Sequence, residues 1–341
     1  MRIELPAGVT QLVLPTPWLV GPVNAYILHG DPLTLVDTGP AMPEARAALV
    51  NGLAAQGLKP SDIELLVLTH QHPDHIGQAA WLVEQSGATV AAYHGLAGEL
   101  ADVPAMWARI GEFTAALMTR HGMPVHECAQ LEANNLRDQR YGGGSFRIDL
   151  GLADGQVLVA GGRRLTVHHR PGHSPSDIVL LDELDGLLVA GDHLLAKISS
   201  NPLSHPALGA RDSVAASAED RRARPLLDYI SSLTSTRRLG AQLVLPGHGP
   251  VFGEPGALIE NRIRLHRTRA DEIRQALAAG PRTARQLVEV LWDGLSDEVL
   301  WLGVAEVIAH LDLLLDEGRI RMETVDGLTR SWAAQAERAV A

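Results

Sequence analysis

The stretch "VLTHQHPDHIG", Val67 to Gly77, sets three histidines and an aspartate within six positions, directly after an apolar run. Imidazole nitrogens and carboxylate oxygens are the donors that hold divalent metals. His70 and His72 are two apart, and in extended backbone that spacing sends both side chains off one face, where they can grip one ion. Asp74 and His75 lie further round the bend and face a neighbouring site, so one turn can feed two metals. More donors follow, each at the end of an expected strand: His173 in "RPGHS", Asp192 in "AGDHL" and His248 in "LPGHG". Strand ends of this kind project side chains into the mouth of a sheet sandwich, where ligands from distant segments can converge.

The elements that must position these donors are short. "QLVLP", "VNAYILHG", "LTLVDTG" and "ELLVLTH" read as strands, each closed by Gly, Pro or a polar turn. After His75, the residues Ile76, Ala79, Ala80 and Val83 share one face at helical spacing, so the histidine-rich turn joins a strand end to a helix start. A second β-rich block holds "GQVLVAGGRRLTVHHRPG", "DIVLLDE", "GLLVAGDHLL" and "AQLVLPGHGP". Two such blocks with helices between them predict an α/β fold, two sheets sandwiched by helices.

Composition bounds the partners. At 341 residues and 46% hydrophobic, the chain can bury one large core and carry a small second domain. The 29 Lys+Arg against 40 Asp+Glu give a net charge of -11, with no general attraction to nucleic acid or to an anionic membrane. Glu4 and Pro6 stand where a signal peptide needs its apolar region, and no apolar run approaches the roughly 18 residues of a membrane span, so a cytoplasmic location is expected. The lone Cys128 excludes an intrachain disulfide and any cysteine-based zinc knuckle, and reads as a small buried residue.

Five motifs, "LVDTG", "THQHPDH", "PGHS", "GDH" and "PGHG", occur in the order of the metallo-β-lactamase-fold hydrolase superfamily, which the sequence resembles over roughly residues 8 to 255. The resemblance implies an αββα sandwich in which His70, His72 and His173 hold one ion, Asp74, His75 and His248 hold the other, and Asp192 bridges them. It also places Asp37 behind the ligands, bracing the metal-binding loop without touching metal. Two cations held close together lower the pKa of a bridging water, present hydroxide at neutral pH and polarise the carbonyl or phosphoryl oxygen under attack. Asp74 could also orient that hydroxide and pass on its proton. Two zinc ions suit nitrogen and carboxylate donors best, with manganese or iron fitting the same list.

Other polar residues are weighed against plainer roles. His168 and His169 read as packing or exposed residues on a strand. His193 should point away from the metals, with reach to a substrate left open. His205, in the Pro-rich "SSNPLSHPALG", is not expected to be a ligand. Lys197 could anchor a substrate carboxylate or simply be solvated. "YGGGS", Tyr141 to Ser145, lacks the following residues of a phosphate loop and reads as a flexible joint.

Between the two β blocks, Met106, Trp107, Ile110, Phe113, Leu117 and Met118 recur at helical spacing. This segment, about 95–140, is either a helix pair packed on the body or a lid; the lid reading makes Trp107 and Phe113 substrate contacts. From about Glu260 charged helical sequence takes over, with a stripe of Val304, Val307, Ile308, Leu311, Leu314 and Leu315, then a hairpin turning at Asp326 and Gly327. The tail resembles the winged-helix domain of a ribonuclease branch of the superfamily, giving a catalytic domain at 1–258 and a winged-helix-like domain at 259–341. Its presumed recognition stretch is apolar and acidic, against groove reading, and Arg262, Arg264, Arg267 and Arg269 read as a solvated helix face.

The expected activity is hydrolysis of a small acyl substrate, an ester, thioester or lactone. Hydroxyacylglutathione hydrolases share the core motifs, but their glutathione-binding residues are not identifiable in this tail. The rival is a metal-dependent endoribonuclease, and a DNA-binding or scaffold protein with an idle metal site is the non-enzymatic alternative. A homodimer is left open.

Overall fold

The computed structural model describes residues 3–334 apart from 207, 209–221 and 293, with backbone alone at 297 and 298. The first β block folds into a six-stranded sheet in the order β1 (Val9–Leu14), β2 (Val23–Leu28), β3 (Thr34–Val36), β4 (Leu65–Val67), β5 (Thr89–Tyr93), β6 (Leu150–Leu152). β1 to β3 pair antiparallel and β3 to β6 parallel. The second block forms β7 (Val157–Ala160), β8 (Arg163–His169), β9 (Ile178–Asp182), β10 (Leu187–Gly191), β11 (Leu243–Pro246) and β12 (Phe252–Gly253), hydrogen-bonded in sequence order.

Every residue of β2, β9 and β10 is buried, because these strands are covered on both faces. Inside the sandwich Tyr26, Val36 and Val67 of one sheet meet Val167, Leu180 and Leu245 of the other. Outside, α1 (Pro43–Ala55) and α3 (Ala79–Ser86) cover the first sheet, while α7 (Pro225–Arg237) and α8 (Gly256–Ala276) cover the second. This is the mixed α/β arrangement expected from the two β blocks. Backbone hydrogen bonds knit the sheets at one edge: Asn24 N donates to Gly247 O at 2.7 Å and Ile178 N to Thr69 O at 3.0 Å.

The 95–140 segment forms α4 (Ala97–Leu100), α5 (Val103–Arg120) and α6 (Val125–Gln139), following the short α2 (Pro73–Ile76) of the histidine-rich turn. Asp102 caps α5, accepting from Ala105 N at 3.1 Å. The tail forms α9 (Ala284–Leu291), α10 (Asp297–Asp316) and a hairpin of β13 (Ile320–Val325) and β14 (Leu328–Ala333). The hairpin turns at Asp326 and Gly327, whose φ of 52° and 80° suit a two-residue turn with both central residues left-handed. The tail does not close a core of its own: Leu117, Met118, Met123, Cys128 and Leu131 of α5, α6 and their connection share one cluster with Val304, Ile308 and Leu311 of α10. Among the described residues no helix is long and apolar enough to cross a membrane.

Two sequence expectations need correction. "YGGGS" is a packed joint rather than a flexible one. Gly143 has a φ of 73°, and a Cβ there would stand 2.1 Å from Gly77 O, so only glycine lets the segment lie against the histidine-rich turn. Arg262 does not face solvent: it is buried and donates to the carbonyls of Leu195 and Ile198 at 3.3 and 2.7 Å, pinning the loop after β10. Arg267 and Arg269 pair with Glu317 and Glu272.

Candidate metal centre

Four segments meet at the edge where β4, β10 and β11 end. The turn after β4 carries His70, His72, Asp74 and His75; the β8–β9 turn carries His173; Asp192 follows β10 and His248 follows β11. His70, His72 and His173 converge as one donor set, Asp74, His75 and His248 as another, and His70, His75 and Asp192 as a third group between them. His72 Nδ1 lies 3.0 Å from His70 Nε2 and 2.8 Å from His173 Nε2. Asp192 reaches both sides, with its oxygens 3.5 Å from His75 Nε2, 3.6 Å from His173 Nε2 and 3.5 Å from His248 Nε2. The closeness needs Gly247, where a Cβ would stand 2.1 Å from Asp192 Oδ1.

The hydrogen bonds behind the donors fix which nitrogen each ring presents. His248 Nδ1 donates to Pro22 O at 2.8 Å, and His173 Nδ1 to Asn201 O at 3.1 Å. His75 Nδ1 donates to Asp37 Oδ2 at 2.7 Å. Thr69 gives its hydroxyl proton to Asp37 at 2.8 Å, so its oxygen accepts from His70 Nδ1 at 3.1 Å. In each ring Nε2 is left with a lone pair aimed at the shared space. Lone pairs facing one another, and facing carboxylate oxygens, repel unless a cation lies between them. Among the described residues, His75 Nε2 and Asp192 Oδ1 are buried without a hydrogen-bond partner, as ligand atoms for such a cation would be. The residues therefore fit a metal group.

The electrostatics agree. Burial disfavours charge on His75, yet Asp37, Asp192 and Asp74 outweigh it and raise its pKa well above the usual imidazole range. Burial opposes charge on Asp192 too, but His248, His75 and His173 hold it well below the usual carboxylate range. The carboxylates demand positive charge, which a proton or a metal cation can supply. Burial, with His75, His72 and His173 adding to it, lowers His70 well below 6.5, keeping it the neutral form that binds metal.

Sequence reasoning did not single out Asp177. It is buried 3.9 Å from His70 Nδ1, accepts from Ser174 N and Oγ at 2.9 Å, and burial pushes its pKa up to about 6. Its signal was only a polar residue ahead of a strand.

A cavity of about 460 Å³ opens onto His72, Asp74, His173, Asp192 and His248. Its walls are Trp18 and Val20 from the β1–β2 connection, Trp107, Ile110 and Met118 of α5, Leu195, Ile198 and Leu203 after β10, and Trp301, Leu302 and Ala305 of α10. Trp18 donates to Asp138 at 3.0 Å, tying the β1–β2 connection to α6. Of the four residues expected to touch substrate, Trp107 lines this cavity. Phe113 does not: it packs into the cluster shared by α5 and the tail. His193 is turned away and buried, its Nε2 2.8 Å from Thr236 Oγ1, and burial lowers its pKa to about 3. Lys197 is exposed between the lining residues Leu195 and Ile198 without lining the cavity itself. His169 stacks on Tyr93 at 4.0 Å, a packing role. His205 stays outside the donor sets but does line the cavity, and no spacing pattern marked it.

A two-sheet sandwich that gathers nitrogen and carboxylate donors beneath a largely apolar cavity has the build of a metallohydrolase. The chain belongs to the Metallo-beta-lactamase superfamily, whose pattern it matches over residues 18–248. It is 34% identical over 313 residues to the "Probable metallo-hydrolase YqjP" of Bacillus subtilis, spanning 92% of this chain and 93% of that protein. Two solved structures share its fold: a metallo-beta-lactamase family protein from Thermus thermophilus, with a TM-score of 0.79 at 29% identity over 97% of this chain and 100% of the other, and a beta-lactamase domain protein from Burkholderia ambifaria, with a TM-score of 0.78 at 26% identity over 97% and 93%.

Proposed function

We propose that the protein hydrolyses a small acyl substrate, a carboxylic ester, thioester or lactone, with two zinc ions as its cofactor. His70, His72 and His173 would hold one ion, Asp74, His75 and His248 the other, and Asp192 both. When bound, such ions supply Lewis acidity, which acidifies water and polarises a substrate oxygen. The chain's residues do the rest. Asp37, Thr69 and the carbonyls of Pro22 and Asn201 keep the imidazoles in one tautomer and orientation. Asp74, one oxygen 3.1 Å from His248 and the other 3.9 Å from His75, lines the cavity and can take a proton from the attacking water. The apolar walls exclude bulk water and hold the acyl group.

The observation that carries the substrate class is the cavity's lining. Tryptophan, leucine, isoleucine and methionine side chains face the donors, and among the described lining residues none is Lys or Arg. A polyanion held at the donors would call for such cations, with binding that falls steeply with salt. The test is a pair of assays on zinc-loaded protein: octanoyl ester, octanoyl thioester and lactone in one, single-stranded RNA in the other, each across a range of salt. Acyl hydrolysis without RNA cleavage is expected. Efficient, salt-sensitive RNA cleavage that vanishes in His70→Ala would replace this reading with an endoribonuclease.

A further inference from the structure

His205 is buried, lines the cavity, and among the described residues has no hydrogen-bond partner at either ring nitrogen. Its ring centre is 5.5 Å from that of His72, tilted by 35°, so it stands beside the donors without joining any of their three groups. A neutral imidazole always carries one N–H, and burying that donor without an acceptor is unfavourable. The fold holds it there nonetheless. His205 O accepts from Ala223 N at 3.2 Å, and the adjacent Pro206 forms a β-bridge with Arg222. Arg222 is itself buried and makes a bidentate ion pair with Asp312 of α10. The helix that walls the cavity through Trp301 thus also braces the loop that carries His205 into it.

We propose that His205 donates a hydrogen bond to the carbonyl oxygen of the bound acyl group, the oxygen on which negative charge grows as water adds. This rests on the acyl-hydrolase reading of the same cavity. In that reaction the water oxygen bonds to the acyl carbon, the bond from acyl carbon to alcohol or thiol breaks, and the water's proton leaves with the alcohol or thiol. His205 keeps its own proton throughout. A donor already fixed beside largely apolar walls needs little reorganisation as the charge develops, which is where such a contact acts most strongly.

The experiment compares wild type, His205→Ala and His205→Gln as full-length, zinc-loaded protein. It measures octanoyl ester turnover, calorimetric binding of octanoate, metal content and melting temperature. For His205→Ala the expected result is a fall in kcat of about 100-fold with KM changed by less than about threefold, together with weaker octanoate binding and unchanged metal content. His205→Gln, which retains an N–H, should recover about tenfold of that loss. A His205→Ala kcat within about threefold of wild type overturns the proposal, as does loss of metal, which would make His205 a ligand instead. Equal losses in folded, metal-loaded Ala and Gln variants also overturn it. If wild type proves inert towards every acyl substrate, the acyl-hydrolase reading fails, and octanoate binding decides the proposal separately: affinity unchanged in His205→Ala defeats it.

Discussion

The carboxylate of Asp37 lies 2.7 Å from Nδ1 of His75 while its own backbone sits in the left-handed region at a φ of 58°. That conformation is uncommon for a residue with a side chain. Here it lets one carboxylate accept from Thr69 N, from Thr69 Oγ1 and from the imidazole at once. His75 is thereby fixed with Nε2 towards Asp74 and Asp192. Wild type should bind about two zinc ions per chain by elemental analysis, and Asp37→Ala should bind the weaker of them about 10- to 100-fold less tightly in chelator competition. Unchanged affinity for both ions would show that His75 needs no such brace.

Asp192 lies within 3.6 Å of ring nitrogens from both donor sets. An amide in its place keeps the volume and loses the charge that these histidines share. Asp192→Asn should stay folded, lose part of its zinc and hydrolyse acyl substrate at least about 100-fold more slowly. Wild-type turnover by a folded, zinc-depleted variant would rule out the shared-carboxylate mechanism.

The metal donors were legible because their chemistry is written locally: His70, His72, Asp74 and His75 occupy one turn, and His173, Asp192 and His248 each follow a strand. The cavity was not. Trp301 lies 194 residues beyond Trp107, and nothing in either segment tells that both face one space. Phe113 and Trp107 share a helix with near-identical apolar spacing, yet the cluster formed with α10 takes Phe113 and leaves Trp107 to the cavity. Arg262 looked like one of four solvated arginines, and only the path of the loop after β10 gives it carbonyls to bind.

The buried pair of His266 on α8 and His310 on α10 gives the fold an acid limit. His310 Nδ1 donates to Glu306 O at 2.7 Å, so its Nε2 holds a lone pair that accepts from His266 Nδ1 at 3.3 Å. Burial lowers His266 to about 4, with Arg262 adding to the effect, and lowers His310 to about 3, with His266 and Arg269 adding. The unfolded chain protonates these rings near pH 6.5 and the folded chain only well below it, so their stabilisation is complete above about 6.5 and lost as pH falls towards 4 and 3. His310→Gln should reduce the stability lost between pH 7 and 5 by about 1–2 kcal/mol in denaturant titrations. An identical pH slope in the variant would mean that His310 is not neutral in the fold.

The apolar walls should set which acyl chains the protein prefers. Trp107 of α5 and Trp301 of α10 both line the cavity, and Met118 and Ile110 continue its apolar surface. Each Trp→Ala change removes apolar contact worth about 1–2 kcal/mol to a long acyl chain, which should raise KM for octanoyl substrates roughly tenfold while leaving acetyl substrates and zinc content nearly unchanged. Phe113 is the internal control, because it lies on the same helix as Trp107 but packs against the tail. Phe113→Ala should lower stability by about 1–2 kcal/mol, since a half-buried ring loses less than a fully buried one, and should leave KM for octanoyl substrates as it was. The discriminating measurement is KM as a function of chain length for all three variants, taken well below their melting temperatures. A chain-length effect from Phe113→Ala equal to that of Trp107→Ala would place the acyl group elsewhere. So would its absence from both tryptophan variants.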